Sequence, residues 1–275
     1  MFSLKSFHPN RGSAPNPVVN FSPVVLPVPG RHVDLQMKVS APATGTNLPI
    51  LLFSHGHGRS NFLSSLHGYG PLVDFYAAQG FVVIQPTHQS SKTLSLDANG
   101  PKGALFWHSK ATDMHFILDH LDQIEATVPG LSGRLDRNRI AAVGHSMGGH
   151  TVGMLAGMRV TDPHDGKEVN LAEPRIKAGV LIGSPGEGAD AAAFVSESRP
   201  QVLADDIWRR AYPRRYLRVR DAAETTDDSP QRVALVQAFT LAYLRTAHYP
   251  GDSSWEDVQK ALRDDANPRA RIECK

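Results

Sequence analysis

The stretch AAVGHSMGGH, residues 141–150, sets a serine between glycines two positions before and two after it, behind an apolar run and ahead of residues able to begin a helix. Where a strand turns straight into a helix, the residue at the turn takes a strained backbone and its side chain stands exposed above the sheet. Bulkier neighbours in place of Gly144 or Gly148 would clash. Residues 139–143 supply the strand and residues 147–158 the helix, whose first N–H groups face Ser146 and favour negative charge there. Ser146 is the candidate catalytic nucleophile.

The rest of the chain agrees with a strand-to-helix turn of this kind. Residues 49–54 (PILLFS) and 80–85 (GFVVIQ) are continuous apolar runs suited to buried parallel strands, as are residues 140–143 and 178–182. Residues 32–40 (HVDLQMKVS) alternate in the manner of a half-exposed strand. Met114, Ile117, Leu118, Leu121 and Ile124 recur at helical spacing and predict one helix over residues 107–127, ended by Pro129-Gly130. Strands alternating with helices imply an α/β fold: a mostly parallel sheet covered on both faces. Past Ser184 the regularity fades, with short strand-like pieces only at residues 202–203 and 216–219, then a helix over 230–247 and a short one over 255–262.

A second signature, FSHGHG at residues 53–58, follows the apolar strand. In this it resembles α/β-hydrolases, where a loop in this place gives one backbone N–H to the oxyanion hole and the residue after the nucleophile gives the other; the resemblance implies the N–H groups of His57 and Met147. His55 and His57 at i and i+2 also suit a shared metal, but no third ligand is identifiable, so no metal is expected. His88, just past the 80–85 strand, is expected on the same rim, either touching substrate or as a solvated loop residue.

Composition narrows the partners. Lys plus Arg number 29 and Asp plus Glu 27, a balance of +2 that gives no general reason for nucleic acid or an anionic membrane surface. The one cysteine, Cys274, allows neither an intrachain disulfide nor a cysteine metal site and fits a reducing, cytoplasmic setting. Lys5, His8, Pro9 and Arg11 interrupt the apolar core a signal peptide needs, and no run is long enough for a membrane span. Residues 1–30, rich in proline, read as an extended arm rather than a packed element, and residues 31–275 as one domain.

The order SHGHG, GFVVIQPTH, LFWHSKATDMHFILDHLD, RIAAVGHSMGG and IKAGVLIGSPG resembles bacterial α/β-hydrolases of the dienelactone hydrolase-like and platelet-activating-factor acetylhydrolase-like group, with a general likeness to chlorophyllase and polyester hydrolases. The resemblance covers residues 33–194 and resumes at DAAETTDDSP, 221–230. It implies the α/β-hydrolase fold and hydrolysis of a small-molecule carboxylic ester through an acyl-enzyme at Ser146, with no cofactor. GHSMGG is shared by many unrelated ester hydrolases, so it fixes no substrate.

The pattern breaks at residues 195–220, where the family carries the remaining strands and the triad aspartate and histidine. ESRPQVLADDIWRRAYPRRYLRVR, residues 197–220, holds no histidine and no convincing pair of apolar strands, while seven arginines crowd residues 199–220. A nucleic-acid patch, a solvated basic loop and a deletion or frame change are the alternatives. The deletion reading leaves the C-terminal part of the sheet incomplete and the chain catalytically impaired or inactive, at most ligand-binding. Ser146, Asp221 and His248 stand in the family's chain order, but a helix over 230–247 carries His248 roughly 25 Å from the serine. Asp190, Asp205, Asp206, His150 and His164 remain as acids and bases without a recognisable strand before them, and His145 is expected to point away from the hydroxyl.

Overall fold

Leu48–Ser54 (β3) is buried at every position, and its side chains divide between two cores. Ile50 and Leu52 pack on one side of the sheet with Met114, Ile117, Val152 and Leu155. Leu51 and Phe53 pack on the other with Val73, Tyr76, Leu241 and Leu244. A strand buried on both faces is what a continuous apolar run encodes. The computed structural model describes residues 14–56, 69–97, 106–162, 165–182, 184, 201–202, 216–219 and 230–264.

In chain order the remaining elements are β1 (Val18–Leu26), β2 (Leu35–Pro42), α1 (Gly70–Ala78), β4 (Val82–Pro86), α2 (Trp107–Asp119), α3 (Leu121–Thr127), β5 (Leu135–His145) and α4 (Met147–Leu155). They continue as β6 (Arg159–Thr161), β7 (Glu168–Asn170), β8 (Ile176–Ile182), β9 (Gln201–Val202), β10 (Tyr216–Val219), α5 (Pro230–His248) and α6 (Ser254–Asp264). The main sheet runs β1-β2-β4-β3-β5-β8-β10. It is parallel from β4 to β10, with β1 and β2 antiparallel at one side. Helices α2, α3 and α4 cover one face, and α1 and α5 the other. This is the α/β-hydrolase arrangement of a mostly parallel sheet between helices.

Three expectations change. The part of the proline-rich 1–30 arm that is described is not free: residues 18–26 are extended but hydrogen-bonded along β2 as β1. The ladder shifts register between Phe21 and Val24, so Pro23 falls where no ladder donor is needed. Past β8, where the deletion reading leaves the sheet incomplete, the strand-like piece at residues 216–219 adds β10, parallel to β8 over four residues, from Tyr216 against Gly179 to Val219 against Ile182. The helix expected over 107–127 is two helices, broken at His120, whose backbone (φ −117°, ψ 24°) leaves the helical region. The described residues also hold a small sheet, β7-β6-β9, that periodicity did not suggest.

Candidate active site

Ser146 sits between the last residue of β5 and the first of α4 with φ 52° and ψ −121°, a conformation an L-residue holds only when its surroundings over-determine it. Its N–H donates to the Ile182 carbonyl at 2.8 Å, tying the turn to the end of β8. The two flanking glycines are required by contact. A methyl on Gly144 would run into the Gly148 carbonyl and stand 2.6 Å from Gly149 N, and one on Gly148 would run into the Ser54 carbonyl and stand 2.8 Å from the His55 carbonyl oxygen. The helix start is therefore pressed against both its own strand and the exit of β3, which brings the loop after β3 beside the serine. Gly56 confirms the closeness, since a Cβ there would lie 3.1 Å from Ser146 Cβ.

Met147, the first residue of α4, carries one of the helix N–H groups that has no acceptor a turn earlier. His57, the other assigned donor, lies outside the described residues, as do Asp190, Asp205, Asp206, His164 and Asp221. The Gly56 N–H is already used, donating to the Tyr69 hydroxyl at 2.9 Å. Tyr69 in turn meets His145 Nδ1 at 2.8 Å. The Tyr69 hydroxyl thus joins the Gly56 N–H to the His145 ring. Burial lowers the His145 pKa, in keeping with a neutral ring, and raises that of Tyr69, opposed by the Gly56 N–H.

The other histidines divide cleanly. His88, expected on a solvated rim, is fully buried: Nδ1 meets Asp113 Oδ2 at 2.8 Å and Nε2 meets the Ser54 hydroxyl at 3.0 Å. Ser54, His88 and Asp113 thus repeat the hydrogen-bond order of a Ser-His-Asp relay, but no substrate carbonyl can reach a hydroxyl that is 0 % exposed. Burial, then Lys110 and Arg31, push His88 well below its ordinary value, so it stays neutral and accepts from Ser54. His55 uses Nδ1 on the Gly56 carbonyl at 2.7 Å and accepts at Nε2 from His88 N–H at 3.0 Å, an arrangement that fixes the loop and commits both ring nitrogens. Among the described residues no group of three or more metal-ligating side chains comes together.

His150 packs in the first turn of α4, buried, with Nδ1 unpartnered and its pKa pushed to about 4 by burial and then by Lys110. His248 ends α5 at the opposite end of the sheet, where Arg139 and Asp136 at the start of β5 act on its charge and Phe81 lies 6.2 Å away. The ten residues from Asp136 to Ser146 span roughly 30 Å of strand, so His248 cannot serve the serine. Among the described residues no side chain hydrogen-bonds the Ser146 hydroxyl. A cavity of about 430 Å³ lined by Arg31, Gln89, Trp107, His108, Thr112 and Asp162, among others, lies at the start of α2; Ser146 and Met147 do not line it.

Sequence reasoning missed Tyr69, Lys110 and Asp113. The last two carried a signal, because they fall on the same helical stripe as Trp107, Ala111, Met114 and Ile117, where a charge is out of place unless paired. Tyr69 carried none.

Residues 51–272 match the Alpha/beta hydrolase family. The chain belongs to that family. Solved structures similar to it include a candidate dipeptidyl aminopeptidase IV from Bacteroides ovatus ATCC 8483 (14% identity, TM-score 0.42, covering 63% of this chain and 22% of that one). Two others are esterase Est22 (14%, TM-score 0.40, 62% and 45%) and an esterase from Pyrobaculum calidifontis (21%, TM-score 0.39, 72% and 57%). The chain thus spans between about a fifth and three fifths of the length of these structures. None of the curated proteins compared matches the sequence. Among the described residues no helix is long and apolar enough to cross a membrane.

Proposed function

We propose that the protein is a serine hydrolase of small-molecule carboxylic esters, with Ser146 attacking the carbonyl carbon to form an acyl-enzyme and water releasing the acid. The observation that carries this reading is the strained Ser146 backbone between β5 and α4, held where Gly144 and Gly148 admit no side chain and where Gly56 lies close against the serine. Strain of about 1–3 kcal/mol persists in a fold only where something retains it, and here it aims a hydroxyl at the end of the sheet. The N–H groups of Met147 and His57 are the donors proposed to stabilise the tetrahedral oxyanion, a contribution of roughly 10²–10³ in rate for each. The likeness of SHGHG and GHSMGG to dienelactone hydrolase-like and platelet-activating-factor acetylhydrolase-like enzymes supports an ester rather than a peptide. No cofactor enters the chemistry.

The test is hydrolysis of p-nitrophenyl butyrate by the purified chain and by Ser146→Ala, together with covalent labelling by a fluorophosphonate. Turnover and labelling that both vanish in Ser146→Ala are expected; full activity in that variant sinks the proposal. A histidine-like limb in the pH profile directs the next substitutions to His57, His67 and His164, the histidines nearest the described site in sequence that lie outside the described residues.

A further inference from the structure

Lys110 on α2 is 1 % exposed, yet it does not hydrogen-bond the carboxylate three residues on. The Asp113 oxygens are taken by Arg31 Nε at 3.0 Å, Arg31 Nη2 at 3.2 Å and His88 Nδ1 at 2.8 Å. Lys110 Nζ instead donates to the His55 carbonyl at 2.8 Å, with the Ser90 hydroxyl at 3.5 Å. A buried ammonium is costly, and an apolar side chain of the same length would avoid the cost, so stability alone does not account for it.

The carbonyl it holds belongs to the same peptide unit as the Gly56 N–H. That N–H donates to the Tyr69 hydroxyl, which is hydrogen-bonded to Nδ1 of His145, the residue before the nucleophile. A peptide polarised at its carbonyl donates more strongly through its N–H. Three hydrogen bonds therefore run without a gap from the Lys110 ammonium to the side chain beside Ser146.

We propose that Lys110 is a positioning residue: its ammonium fixes the 55–56 peptide and, through Gly56, Tyr69 and His145, sets the loop after β3 against Ser146. The inference rests on the serine-hydrolase reading. Facing the amine are Asp113 on its own helix, Arg31 from the β1–β2 connection, His88 after β4, His55 after β3 and His150 on α4. Asp113 is the one carboxylate among them. Burial pushes the Lys110 pKa down to about 7 against the pull of Asp113. The ammonium is thus present below pH 7 and lost above it, so the loop loosens on the alkaline side.

The experiment compares the full chain with Lys110→Met, Tyr69→Phe and the double variant. On p-nitrophenyl butyrate, Lys110→Met is expected to lower kcat about ten- to a hundredfold at unchanged KM and to lose an alkaline limb near pH 7. The double variant falls no further than the worse single one, because both substitutions break one chain. Hydrogen exchange over residues 48–56 is read on the same proteins, and on the wild type from pH 6 to 9. It is expected to quicken in Lys110→Met and, after correction for intrinsic exchange, in the wild type above pH 7. A folded Lys110→Met with unchanged kcat and unchanged exchange overturns the proposal. If that variant does not fold, pH-independent protection of residues 48–56 in the wild type overturns it. A wild-type chain with no Ser146-dependent turnover and no labelling overturns the hydrolase reading instead, and exchange then decides the role of Lys110 on its own.

Discussion

Replacing Gly148 by alanine is the sharpest test of the strand-to-helix turn. The added methyl would overlap the Ser54 carbonyl oxygen and stand 2.6 Å from its carbon, both backbone atoms, so no rotamer change relieves the clash. Opening 2.6 Å to an ordinary carbon–carbon contact of about 3.6 Å moves α4 or the end of β3 by about 1 Å. Overpacking of this kind costs about 3 kcal/mol at the upper end of its range, while alanine in a helix returns up to about 1 kcal/mol over glycine. The net loss of about 2 kcal/mol lowers Tm by about 4–8 °C in a domain of this size. Because the displaced atoms carry Ser146 or the loop after β3, the proposed function predicts that kcat/KM for p-nitrophenyl butyrate falls about a hundredfold. Gly130→Ala is the matched control. Gly130 has φ +74° with nothing within 4 Å of its added methyl, so the variant costs about 1 kcal/mol of backbone strain and leaves turnover intact. A Gly148→Ala protein that melts with the wild type and hydrolyses ester at the wild-type rate would refute the geometry.

Tyr69→Phe removes the acceptor of the Gly56 N–H and the partner of His145 Nδ1, and is expected to cost about 1–3 kcal/mol in urea unfolding, together with a fall in kcat. Unchanged unfolding and unchanged turnover would show that the Tyr69 hydroxyl holds nothing. His150, with a folded pKa near 4 against the ordinary 6.5, protonates first in the unfolded chain. Stability therefore drops as the pH falls from 6.5 towards 4, by on the order of 3 kcal/mol. His150→Leu flattens that slope, and an identical slope in the variant would contradict the burial. His248→Phe removes a buried Nε2 without a partner, so it keeps full turnover and gains up to about 1 kcal/mol; a folded variant without turnover would restore His248 to the chemistry.

What the chain disclosed in advance was whatever is encoded within one element. The runs within β3 (residues 49–53), β4 (82–84), β5 (140–143) and β8 (178–182) are apolar because these stretches are buried throughout, and the glycine spacing around Ser146 is short enough to read directly. Even the Asp165-Gly166 pair between β6 and β7 is a turn signal of the ordinary kind, passed over because strands of three residues show no periodicity. What stayed hidden depends on distant partners. His88 reads as a loop residue until Asp113, 25 positions on, and Ser54, 34 positions back, close around it. A proline-rich arm reads as unpaired until β2 offers it an edge.

The same distinction separates the two halves of the catalytic question. The proposed nucleophile is a local backbone event, a strained residue between a strand and a helix, and it can be named from ten residues. A general base is defined only by where another segment places an imidazole. Of the described histidines, His55 and His88 hold the loop after β3, His145 is hydrogen-bonded to Tyr69, His150 is buried in α4, and His248 lies at the far end of the sheet. His55, with both ring nitrogens bonded, and His88, bonded to Ser54 and Asp113, hold the loop after β3 in place beside Ser146, the pre-set geometry that the proposed oxyanion donors require. Under the proposed hydrolase reading, then, the part these histidines play is to fix the loop, and a base from another segment would act on a site whose geometry is already set.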